Sequence, residues 1–66
     1  MRRAIVAGAA LGAAHDALRD AVEAGHARHA AVLRPVGRAI QALQDLDEET
    51  AARQARRALR MMEALP

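Results

Sequence analysis

Glu23, His26 and His29 form the pattern Glu-x-x-His-x-x-His, the chain's densest set of side chains able to ligate a metal. On one continuous helix these three stand on consecutive turns, where a carboxylate and neutral imidazoles are sound ligands for a divalent cation. A Glu-x-x-His step is part of the donor set of di-metal helix bundles, but such bundles need further inward carboxylates. Here Glu63 is the one acidic residue in the last sixteen positions. The competing reading makes His15 and His29 polar members of a packing seam, where they fix register, and leaves His26 solvated at its edge. On that reading the protein carries no cofactor.

Arg53, Arg56, Arg57 and Arg60 are the one basic cluster. Arg53, Arg57 and Arg60 share a helical face and can follow a phosphate backbone. The net charge of +2 is slight, and no aromatic residue is present to stack on single-stranded bases. A nucleic-acid-binding regulator using this face is therefore the second reading, and a solvated helix face the plainer account of the same residues.

Enzyme chemistry finds little to work with. The chain has no Cys, Lys, Ser or Tyr, and Thr50 is its only hydroxyl side chain. The glycines at Gly8 and Gly12 lack the Lys and Ser/Thr that complete a phosphate-binding loop. Without Cys there is neither a disulfide frame nor a thiolate metal site. The expectation is a protein that is not an enzyme.

The elements that position these residues follow from periodicity. Leu11, His15, Leu18, Val22, Gly25, His29, Val32, Val36, Ala39, Leu43 and Leu46 recur in alternating steps of four and three, the signature of one buried helix face. Pro35 is the strong breaker, yet Val32, Val36 and Ala39 keep phase across it, which argues for a kink rather than a reversal. Past Leu46 the stripe would bury Arg53, Arg57 and Arg60. The apolar set restarts instead at Ala51, Ala55, Ala58, Met62 and Leu65, flanked by Ala52 and Leu59. Asp47 is placed to cap this last helix, with Glu48 and Glu49 in the first turn where the helix dipole favours anions. Glu49 and Arg53 are spaced to pair at i,i+4.

The expected fold is therefore all-α, a single small domain over residues 1–66. It has a long helix from about residue 3 to 46 kinked at Pro35, and a short antiparallel helix from about 48 to 64. The short helix covers only about seventeen residues of its predecessor at 1.5 Å per residue. Leu11, His15, Leu18, Val22, His29 and Val32 then form an interface that a second chain covers, completing the hairpin into a bundle. The alternative is reversal at Gly25 or Pro35, giving a closed three-helix monomer.

Composition bears on the same choice. Nineteen residues are Ala and only sixteen are Val, Ile, Leu or Met, so a lone 66-residue unit has a thin core. All ten basic residues are Arg, which with the Ala excess fits a GC-rich genome. Charge falls in blocks, about +2 over residues 1–34, −3 over 35–50 and +3 over 51–66, counting Arg against Asp and Glu. Arg2 and Arg3 precede an apolar run that His15 and Asp16 end well short of the ~20 residues of a membrane span. It is read as the start of the first helix rather than a secretory leader, and the expected location is the cytoplasm. The expected function is helix packing, as a homo-oligomer or as an accessory subunit of a larger protein complex. Nucleic-acid binding and a metal-binding bundle are the alternatives.

Overall fold

Gly25 decides the topology. The computed structural model describes residues 2–65, with side chains from residue 7 onward. The side chains of Arg2, Arg3, Ile5 and Val6 lie outside the described residues. The first helix, α1 (Arg2–Glu23), stops where Gly25 adopts φ 107°. There the Gly25 N–H donates to the Val22 carbonyl at 3.0 Å and the His26 N–H to the Ala21 carbonyl at 2.9 Å. This pair of bonds is the Schellman motif, which satisfies the last carbonyls of a helix while the chain turns away. Glycine suits the turn because a side chain at that positive φ is strained.

A short 3₁₀ segment (Ala27–His29) leads into α2 (Ala30–Gln44), which returns along α1. The continuous helix from residue 3 to 46 is thus corrected to two antiparallel helices. Pro35 is buried inside α2, and the helix runs unbroken through it. The reversal came at the residue with left-handed freedom rather than at the one without an N–H.

Folding back explains why the stripe keeps one phase across the break. Its two halves face each other. Leu18, Val32 and Val36 are buried together with Ala58, and Leu11, Leu33 and Ile40 pack against them. At the far end of the pair, Gly8 of α1 lies beside the Leu43 side chain of α2. The expectation that another chain must cover Leu11, Leu18 and Val22 is corrected accordingly. Leu18 is 4% exposed under cover of the same polypeptide, while Leu11 and Val22 are half-buried.

The second turn repeats the first with a costlier residue. Leu46 takes φ 58°. Its N–H donates to Leu43 O at 3.1 Å, and the Asp47 N–H donates to Ala42 O at 2.8 Å. Leu46 was placed on the buried stripe by periodicity, but it is 80% exposed. A left-handed leucine costs about 1 kcal/mol or more. Leu46→Gly is therefore expected to raise unfolding stability by about 1 kcal/mol. A urea midpoint that stays put or falls would remove the strain argument.

The last helix, α3 (Glu48–Glu63), begins as the sequence implies. Asp47 is its N-cap, with Oδ1 accepting from the Thr50 N–H at 3.1 Å. These hydrogen bonds to Thr50 hold the Asp47 carboxyl below its usual range, assisted by Arg53. A carboxylate with a lowered folded pKa stabilises fully above its unfolded value, and the contribution is lost as pH falls through the folded value. Asp47→Asn keeps an acceptor without the charge. The thermal midpoint of the parent is expected to fall more steeply than that of Asp47→Asn between about pH 5 and pH 3. Parallel curves would reject the cap as the cause.

The middle helix α2 is central, with α1 on one side and α3 on the other. Ala51 and Ala58 are the buried residues of α3. Four of the seven buried apolar residues are alanines, so the interior is built from close helix approach more than from bulk. All regular structure among the described residues is helical. None of the described helices is long and apolar enough to cross a membrane.

Candidate functional site

An apolar groove opens between α1 and the first half of α3, because both helices pack on α2 rather than on each other. Ala7, Ala10 and Leu11 form one wall, and Ala51, Ala52 and Ala55 the other. Leu43 of α2 is among the lining residues, with Glu48 the charged one, and the space holds about 310 Å³. Its walls are mostly methyl groups, and Glu48 is the one titratable side chain that lines it.

Beside this groove α3 carries a second apolar stripe. Ala52, Ala55, Leu59 and Met62 follow one another at steps of three, four and three. Leu59 is 55% exposed and Met62 44%. The sequence offers Ala52 and Leu59 only as flanks of the apolar set of α3, not as part of an outer stripe. Ala55 and Met62 lie within about 60° of Ala51 and Ala58 round the helix, but it is Met61 that packs on the core, while Met62 is exposed.

The residues expected to form an inter-chain seam fall in different places. Leu18 and Val32 are core, while Leu11, His15, Val22 and His29 are half-buried along α1 and at the start of α2. Among the metal candidates, Glu23 ends α1 before the Gly25 turn, whereas His26 and His29 lie beyond it. The two imidazoles pack edge to face with ring centres 5.5 Å apart. His29 Nδ1 is buried without a hydrogen-bond partner. Among the described residues no three His, Asp or Glu side chains gather as a metal-binding set. The turn at Gly25 is the physical reason: it ends the helical repeat on which the Glu-x-x-His-x-x-His spacing depended.

Arg53, Arg56, Arg57 and Arg60 are all exposed on α3. Arg53 donates from Nη2 to Thr50 Oγ1 at 3.2 Å instead of pairing with Glu49. The only ion pair among the described residues joins Arg19 to Asp16 on α1, at 3.4 Å. The sequence reading missed a contribution from α2. Arg34 shares a surface cleft with Arg57, between Ala30, Ala31 and Met61.

The chain matches no family model, no curated protein and no solved structure.

Proposed function

We propose that this protein acts through helix packing, without catalysis, and that its partner is a second copy of the same chain. The observation that carries the reading is the size gradient along the outer stripe of α3. Its first half is Ala52 and Ala55; its second half is Leu59 and Met62. An antiparallel pair of α3 helices about a two-fold axis sets Met62 of each copy on Ala52 of the other, and Leu59 on Ala55. Each bulky pair then fills the alanine-walled groove opposite. Such a patch is self-complementary, as an isologous dimer interface requires. It also adds large side chains to an interior rich in methyl groups, where extra burial stabilises most.

Molar mass in solution tests the reading. The monomer is 7.0 kDa, and twice that mass is expected at micromolar concentrations. Leu59→Arg with Met62→Arg is expected to return the chain to the monomer mass with its helicity intact, since both positions are exposed in the single chain. Near the two-fold axis Arg56 approaches its own counterpart, so the dimer is expected to tighten as salt screens that repulsion. A monomer at every concentration overturns the proposal, and so does a dimer that survives the double substitution.

A further inference from the structure

The cleft that brings Arg34 together with Arg57 sets the register of α2 against α3. Ala30, Ala31 and Arg34 of α2 line it together with Arg57 and Met61 of α3, so facing positions add up to about 91. One helical turn further along, the same register sets Arg38 beside Arg53. Residues at i and i+4 lie about 6 Å apart along a helix, and packed helices lie about 8–10 Å apart. By this register the four arginine positions stand at the corners of a small rectangle of backbone that spans two helices. We propose that Arg34, Arg38, Arg53 and Arg57 form a single binding face for the phosphate backbone of a nucleic-acid duplex.

Three features favour that ligand. First, the counter-charge lies at one end of the face, where Asp47 at the α3 cap feels Arg53. The acidic residues of this half of the chain are Asp45, Asp47, Glu48 and Glu49, crowded at the α2–α3 turn, and Glu63, which lies one turn from Leu59 on the opposite flank of α3. All four arginines are exposed, and none is in an ion pair among the described residues. Second, guanidinium groups bind phosphate oxygens in two-point fashion, and with no aromatic residue in the chain a stacking platform for single strands is missing. Third, the surface next to the Arg34–Arg57 edge is Ala30, Ala31 and Met61, while Leu59 and Met62 belong to another face of α3. A bilayer would be attracted to this face without being entered by it.

The face differs from the cluster that sequence alone offers. Arg53 and Arg57 belong to it and Arg60 flanks it. Arg56 turns about 100° from Arg57, toward the stripe proposed for self-association. The two sites therefore stand or fall separately.

Fluorescence anisotropy on the full chain tests the proposal, using a labelled DNA duplex of about 20 base pairs, the RNA duplex of the same sequence, and one strand alone. Vesicles containing phosphatidylserine form the fourth arm. Saturable duplex binding is expected, with log K falling against log salt at a slope of about −3.6, the value for four phosphate contacts. Arg34→Gln with Arg38→Gln is expected to weaken binding about tenfold or more and to flatten the slope by about 1.8. Arg19→Gln on α1 removes one charge elsewhere and is expected to change neither. Circular dichroism checks that each variant keeps its helices. Absence of duplex binding at low salt overturns the proposal. So does a Gln pair that binds like the parent, a single strand that binds as tightly as the duplex, or binding to vesicles alone.

Discussion

Gly25→Ala is expected to undo the fold rather than merely weaken it. In the turn, a residue with a side chain at φ 107° carries strain of about 1–3 kcal/mol. In a straight helix the same replacement favours α-helix by about 1 kcal/mol. The two terms act in one direction, so the balance between the folded-back chain and a continuous helix moves by about 2–4 kcal/mol. The continuous helix is well prepared. Val22, Gly25, His29 and Val32 already follow one helical phase, and a chain straightened through them exposes its whole apolar stripe to a second straightened chain. The expected result is a larger particle with exchanged helices. The radius of gyration would rise clearly above the 11.7 Å of the closed chain. Small-angle scattering with molar-mass measurement reads this directly. A variant of parental size and stability would show that the Gly25 conformation holds no control over the topology.

That variant also marks where the sequence was legible. The start of α3 could be read because its signals are local. Asp47, Glu48, Glu49 and Thr50 lie within one turn and act on the same N–H groups. The phase change after Leu46 added a second, independent sign. The reversal at Gly25 offered only one sign, a glycine inside a helical pattern, and that alone costs too little to end a helix. Periodicity pointed the other way, since a stripe folded onto itself has the same phase as a stripe that continues. Pro35 misled for a related reason. Its missing N–H is a local penalty, whereas its burial in α2 is a tertiary gain that local rules do not weigh. The candidate surfaces were half legible. The arginines of α3 stood out as a cluster, whereas Arg34 and Arg38 were not read with them, although the antiparallel pairing of the last helix with its predecessor was expected from the turn at Asp47.

The other large expected effect comes from Leu18→Ala. Leu18 is the only leucine in the buried set, 4% exposed, and it is α1's largest contribution to the cluster with Val32, Val36 and Ala58. Of its α1 neighbours one turn away, Ala14 and Ala21 are too short to reach across, so few nearby side chains can swing in to fill the space. Removing a buried leucine side chain costs about 2–5 kcal/mol when the surroundings do not collapse. A domain of this size has roughly 3–5 kcal/mol of stability in all. The substitution is therefore expected to release α1 from α2 and to leave most of the population unfolded near body temperature. Leu46→Ala is the matched control, because Leu46 is 80% exposed and its truncation is expected to change stability by no more than about 0.5 kcal/mol. With no aromatic side chain to report on packing, far-UV circular dichroism against urea is the measurement. Equal midpoints for the two alanine variants would mean that α1 does not depend on its one buried leucine, and that the alanine contacts along the helix hold it in place.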